Sequence, residues 1–319
     1  MDFKKYMKEA TLAPEDGDIT EYLNIRGRLL SNVLVNAQRD IPSVACTYDA
    51  DVTKLLKVYN ELKENSSFRL TFNTLMLKIL TECLKEAPRL NAHAEYNHRK
   101  TSGRLIIKKH IDVAVAVRLQ NGETFQVKVK HLEEKSLKET AEAVEEIKEK
   151  LKETNMKRVL FNLAGKRMAG YAAKGKIITT LSQFTSAYFG KAKIAKLSKL
   201  FKKKYYTSSQ PKKKNSLKLD DFSEGTVCFT NWGTLYDGLD VNITYIPPLY
   251  PQVFLFGIGR TKKEKDVFKN EEGVVDIEYK DVLPVTMVFD HKIGGASDLV
   301  PFIRALDKIL ENPEIIKEW

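Results

Sequence analysis

Apolar residues recur at helical spacing between Tyr22 and Arg39 (Leu23, Leu29, Leu30, Val33, Leu34), and the pattern breaks at Asp40-Ile41-Pro42. This predicts a helix that stops before the proline. Val44–Tyr48 predicts a strand, Asp51-Val52-Thr53 opens a helix through Leu62, and Phe72–Ala87 predicts a more buried helix closed by Pro88. Strand patterns follow at Ile106-Ile107, Val113–Leu119 and Thr124–Val129, the second densely β-branched. Leu137–Lys152 is amphipathic and rich in opposite charges, as a solvent-facing helix should be. Four more strands are expected at Thr226–Asn231, Val241–Ile246, Val253–Ile258 and Leu283–Phe289, and a last helix at Leu299–Leu310. Helices and strands alternate irregularly, which predicts an α+β fold rather than a doubly wound one.

Charge divides this pattern. The 319-residue chain carries a net +11, but residues 157–214 alone hold sixteen Lys or Arg and no Asp or Glu. The rest is therefore net acidic, and the basic stretch needs its own explanation. No apolar run approaches the roughly 20 residues of a spanning helix. The N-terminus, Met1-Asp2-Phe3-Lys4-Lys5-Tyr6, has no apolar signal core behind it, so a cytoplasmic protein is expected. Cys46, Cys83 and Cys228 sit in apolar segments without paired spacing and read as buried, reduced residues. With five scattered histidines they form no metal motif, and no metal site is expected.

The candidate chemistry lies near the C-terminus, in Phe289-Asp290-His291-Lys292-Ile293-Gly294-Gly295. A strand ends there, a turn follows, and a helix begins. That places one imidazole, the side chain best suited to move a proton near neutral pH, at a strand end beside two glycines. Gly257-Ile258-Gly259 lacks the third glycine and the following helix of a dinucleotide loop. No Gly-x-Ser-x-Gly elbow points to a serine hydrolase.

Several stretches, in order, resemble the catalytic domain of the dihydrolipoamide acyltransferases of 2-oxoacid dehydrogenase complexes. That family is itself related to chloramphenicol acetyltransferase. The matching pieces are Ile25-Arg26-Gly27-Arg28, Ile41-Pro42-Ser43-Val44, Asp51-Val52-Thr53-Lys54-Leu55, Pro88-Arg89-Leu90-Asn91-Ala92, Ile111–Val117, Gly225–Gly233, Gly257-Ile258-Gly259-Arg260 and Asp290-His291-Lys292. The resemblance implies a chloramphenicol acetyltransferase-like fold, a mixed sheet with flanking helices assembled as a homotrimer. The catalytic domain would cover 21–155 and 215–319, after an N-terminal extension, 1–20, and around a basic insert, 156–214. The lipoyl and subunit-binding domains that precede this domain in relatives are expected to be absent.

The resemblance further implies direct acyl transfer from a coenzyme A or carrier thioester to a thiol or hydroxyl. His291 would be the general base. The oxyanion donor would be Thr230, with Asn231 beside it, although a plain β-branched strand residue would also fit that position. Asn91 and His93 would line the acceptor side; for His93 a surface-loop position is the rival reading. Where relatives carry Asp-Gly after the histidine motif, this chain has Gly295-Ala296. The aspartate that pairs with an N-terminal arginine is thus missing. Arg26 or Arg28 would be the arginine here, Asp290 stays within the motif, and Asp298 could replace the lost carboxylate only through a rearranged turn.

The insert carries apolar residues at Val159, Leu160, Phe161, Leu163, Met168 and Tyr171. Ile194, Leu197, Phe201 and Tyr205 follow helical spacing among lysines. Such a face suits an anionic lipid surface, which predicts peripheral attachment at the inner membrane surface. Docking of an acidic acyl-carrier protein or steering of CoA is a second reading, and a solvated lid a third. Nucleic acid is not expected, since lysine dominates and no base-reading motif accompanies it. Two rivals to the free-standing acyltransferase stand: a non-catalytic trimer that kept the fold as a scaffold, and a dihydrolipoyl transacylase serving a lipoyl domain on another chain.

Overall fold

The computed structural model describes residues 14–97, 100–118, 124–173, 175–191, 193–194, 215–234, 242, 244–269, 275–292 and 294–319. The chain forms two compact units, one of Met1–Ser31 with Met156–Pro211, the other of Asn32–Asn155 with Lys212–Trp319. The first helix, α1 (Ile25–Asp40), runs from one unit into the other.

The larger unit is built on a seven-stranded mixed sheet. Its strands are β1 (Ser43–Asp51), β4 (Val113–Arg118), β5 (Thr124–Val129), β6 (Val227–Asn231), β7 (Phe254–Ile258), β8 (Lys262–Lys269) and β9 (Val275–Asp290); β2 (Ala92–Asn97) and β3 (Ser102–Ile107) form a separate hairpin. The order is β1-β9-β7-β6-β4-β5, with β8 paired to β9. β4, β6 and β7 run parallel, and the other pairs are antiparallel.

One face of the sheet is covered by α3 (Phe72–Glu86) and α7 (Ala296–Glu311), which pack on each other. Thr71 caps α3 by accepting the Thr74 N–H, and its body is buried on most sides, as its continuous apolar run predicts. Phe302 of α7 meets Phe254 at 5.1 Å and Phe256 at 5.5 Å, two residues apart on β7 and so on the same core face. Ser136 and Glu139 make a reciprocal cap at the start of α4 (Leu137–Lys152). α2 (Thr53–Asn65) follows β1 as the pattern predicts.

Three elements depart from the sequence reading. Among the described residues of 241–246 there is no strand; Val241 lies outside them. β6 and β7 already have a neighbour on each side, and Ile246 packs on Cys228, Leu255 and Val288. β9 begins eight residues before the expected Leu283 because its first half pairs with β8. That ribbon escaped notice because its cross-strand contacts are charged, as between Lys263 and Asp281 (3.1 Å) and between Lys280 and Asp266. The β2–β3 hairpin was legible only at Ile106-Ile107.

In the smaller unit, α5 (Met156–Ala173) and α6 (Ile177–Tyr188) pack as a pair. Arg28 donates to the Ser186 carbonyl (3.1 Å) and hydroxyl (2.9 Å), and Arg167 donates to the Leu29 carbonyl (3.3 Å). The expected lysine-flanked helix from Ile194 to Tyr205 lies outside the described residues beyond its first position. Among the described residues no helix is long and apolar enough to cross a membrane.

Candidate active site

His291 follows the last residue of β9, where the register Ser43↔Asp290 ends the ladder with β1. Its backbone N–H donates to the Pro42 carbonyl (2.8 Å), its side chain is exposed, and its ring stands 5.9 Å from that of Phe289. Beside it, Asp290 is 1% exposed. A carboxylate this buried needs a partner. Lys292 supplies it, with Nζ 3.0 Å from Asp290 Oδ2, and also donates to the Asp40 carbonyl at the end of α1. The cation therefore ties the strand end to a helix C-terminus, which itself favours positive charge. An open cleft of about 590 Å³ adjoins this knot, lined by Gln38, Arg39, Asp40, Pro42, Tyr96 and Lys292.

The turn after His291 differs from the expected brace. Asp298 bonds Arg89 Nε at 2.7 Å, so its arginine comes from the Pro88–Leu90 turn. Arg26 and Arg28 belong to the smaller unit, where Arg28 is engaged with Ser186. The physical reason is Gly294: a Cβ there would lie 1.6 Å from Asp298 Oδ2. The absent side chain is the space the carboxylate occupies. Asp298 thus folds over the turn from the first turn of α7, where its amide donates to the Gly295 carbonyl (3.1 Å) and its negative charge suits the helix start.

Thr230 sits on β6 opposite Gly257, which in turn pairs with Thr286 of β9. It is buried on the sheet face away from α3 and α7, against a cavity of about 10 Å³ that Trp232, Gly257 and Thr286 share. Thr286 precedes His291 by five residues, about 17 Å of strand. Within one chain His291 and Thr230 are therefore not brought together. Asn231, next in β6, donates from Nδ2 to Asn73 Oδ1 of α3, while its own Oδ1 is buried with no hydrogen-bond partner among the described residues.

Both residues expected at the acceptor side make hydrogen bonds to backbone. Asn91 is buried, and its Nδ2 donates to the carbonyls of Lys108 (3.1 Å) and His110 (3.2 Å), holding the chain between β3 and β4. His93 Nε2 bonds the Gly225 carbonyl at 2.9 Å, which Gln252 Nε2 also reaches at 3.2 Å. Burial pushes the His93 imidazole below its ordinary value. Both residues hold backbone in place. Gly225 itself must be glycine, since a Cβ would press to 2.5 Å from the Asp112 carbonyl.

Cys228 shares a sheet face with Thr230, but burial pushes its thiol up to about 12, and Gln126 Nε2 donates to its Sγ at 3.1 Å. It is no nucleophile. Cys83 is buried as expected, whereas Cys46 is half-buried.

The reading of the sequence missed one cluster. His110, His131, Glu133 and Glu134 bring four ligand-type atoms within 4.8 Å of one another, contrary to the expectation of no metal-type grouping. The signal was the β4–β5 register: pairing Val113 with Val129 brings the flanking residues 110 and 131 side by side.

The longest strand of this mixed sheet, β9, ends just before the histidine. The chain matches the family model for the 2-oxoacid dehydrogenases acyltransferase (catalytic domain) over residues 17–161 and 192–317, and it belongs to that family. The unmatched stretch, 162–191, lies inside the basic insert. The chain is 21% identical over 306 residues to the dihydrolipoyllysine-residue acetyltransferase component of the pyruvate dehydrogenase complex of Acholeplasma laidlawii, covering 94% of this chain and 42% of that protein. To the corresponding mitochondrial protein of Saccharomyces cerevisiae it is 22% identical, over 95% of this chain and 48% of the other. The chain thus spans about half the length of the curated relatives it matches. Among solved structures, the Azotobacter vinelandii dihydrolipoamide acetyltransferase superposes with a TM-score of 0.60 at 17% identity, covering 96% and 98% of the two chains. The cubic core of a pyruvate dehydrogenase multienzyme complex gives 0.59 at 18%, again over 96% and 98%. These likenesses fix the fold as that of the family's catalytic cores.

Proposed function

We propose that this protein is an acyltransferase that carries an acyl group from a coenzyme A or carrier thioester to a thiol or hydroxyl acceptor, with His291 as general base. The observation that carries this reading is the placement of an exposed imidazole at the end of β9, fixed by the Pro42 carbonyl and the Asp290–Lys292 pair beside an open cleft. The imidazole takes the acceptor's proton as sulfur or oxygen attacks the thioester carbonyl. The Thr230 hydroxyl donates to the oxyanion where the negative charge develops. Because the two residues lie far apart along one chain, the working site is formed between copies, in a homotrimer. The relatives' names, and the Azotobacter structure solved to define the roles of a serine, a histidine and an asparagine in its mechanism, support this chemistry. In that protein the asparagine follows the histidine by four positions; here that position is Gly295.

Transfer to the lipoyl group of a domain on another chain fits the same residues equally. The distinguishing experiment is thiol release from short- and long-chain acyl-CoAs with dihydrolipoamide and other acceptors. His291→Ala should lower kcat about 10²–10⁴-fold, and Thr230→Ala about 10²–10³-fold. Coenzyme A binding with no turnover in any combination would leave a scaffold protein as the correct reading.

A second observation concerns acceptor and location. In the smaller unit α6 exposes Ile177, Ile178 (85% exposed) and Leu181, within a stretch that has no acidic residue. This favours a peripheral site on an anionic membrane, on its cytoplasmic side, and an amphiphilic acceptor or long acyl chain.

A further inference from the structure

We infer that His110, His131, Glu133 and Glu134 form a binding site for one divalent first-row transition metal ion, zinc above all. His110 and His131 flank the two legs of the β4–β5 hairpin, and Glu133 and Glu134 belong to the Leu132–Glu134 turn that follows at once. His110 Nδ1 lies 3.0 Å from His131 Nδ1, 2.6 Å from Glu133 Oε1 and 3.7 Å from Glu134 Oε1. Zinc bonds of about 2.0–2.2 Å to nitrogen and carboxylate oxygen in a tetrahedron put ligand atoms about 3.3 Å apart. The observed separations bracket that edge, and two imidazoles with two carboxylates are a donor set such ions accept.

No single tautomer gives each contact in this cluster its own linear hydrogen bond. A neutral imidazole has one N–H. If His110 Nδ1 donates to Glu133, that hydrogen cannot also serve His131 well. If His131 donates to His110 instead, a bare nitrogen lone pair faces the Glu133 carboxylate at 2.6 Å. With both rings protonated at Nδ1, two N–H groups meet head on. A cation at the point of convergence resolves every one of these conflicts.

The ligands are also held from behind. Glu133 Oε2 accepts the Ile111 N–H (2.8 Å), leaving Oε1 to the cluster. The His131 N–H donates to Asp112 Oδ1 (3.0 Å), and His131 sits in the left-handed region at φ 55°. A non-glycine residue keeps that conformation only where its surroundings demand it. Outer hydrogen bonds of this kind orient metal ligands. The site is separate from the acyl-transfer residues: Asp112 and Thr226 bond each other at the opening of β6, and Thr230 lies at its other end. The ion would clamp the hairpin base to the turn before α4.

The test is calorimetric titration of the full chain with zinc chloride, metal content after dialysis, and visible spectra with cobalt(II). One equivalent should bind, with the absorption of four-coordinate cobalt and a melting temperature raised by about 5 °C at a hundredfold excess over Kd. His131→Asn and the milder Glu133→Gln, each checked for folding by circular dichroism, should weaken binding at least about tenfold, while His291→Ala should leave it intact. Failure of the wild type to bind zinc or cobalt overturns the proposal. So does binding that survives both variants, or that disappears with His291→Ala alone.

Discussion

Gly294 and Asp298 show how one missing side chain redirects a salt bridge. The carboxylate occupies the volume a Cβ would fill and meets Arg89, so the turn is braced from a neighbouring loop. The sequence revealed that the usual carboxylate was absent and that Asp298 needed a rearranged turn to replace it. It could not reveal Arg89, whose approach depends on α7 packing near the Pro88–Leu90 turn. Burial holds the His93 imidazole below the ordinary value, so the unfolded chain takes up a proton that the folded chain refuses. The linked stability is fully present above about pH 6.5 and is lost as pH falls through the lowered folded value. Thermal melts from pH 7 to pH 5 should show a smaller decline for His93→Gln, whose amide can keep the Gly225 hydrogen bond. Equal declines in both proteins would exclude His93 as the source.

Strands and helices with one-sided or continuous apolar patterns were legible from the residues: β1, β4 to β7, α1 to α4 and α7 all lie where the periodicity puts them. The β8–β9 ribbon was not, because its alternation is carried by Lys, Asp and Glu pairs whose meaning depends on the partner strand. The metal-type cluster was hidden for the same reason, since two histidines 21 positions apart become neighbours only through hairpin register. Of the candidate site residues, His291 was legible as a strand-end histidine. The backbone partners of Asn91 and His93 were not legible, because they are distant in sequence. α6 belongs to a different class: its exposed isoleucines face no acidic residue in their own stretch. Flotation with phosphatidylserine vesicles should recover the full chain, and Ile177→Ser with Ile178→Ser should leave it in the soluble fraction. Recovery equal to the wild type would refute the lipid contact.

For the whole molecule, the separation of Thr230 from His291 along β6 and β9 means that the proposed chemistry requires assembly. Thr230→Ala and His291→Ala should each be slowed as given above. When the two impaired proteins are unfolded together and refolded, mixed trimers should place an intact Thr230 against an intact His291 and regain a substantial fraction of wild-type rate. Refolded mixtures as slow as their components would show that each chain works by itself.

The same strand that presents the histidine also governs how the protein is made. β9 is the partner of β1, β7 and β8, and it joins Ser43 to Asp290 across most of the chain. Translation delivers residues in order, at roughly 5–20 per second, so β1 leaves the ribosome well before the strand it must pair with exists. Contacts this distant in sequence slow folding. Until β9 emerges, β1 lacks its partner and β7 one of its two neighbours, so their apolar edges stay open during synthesis.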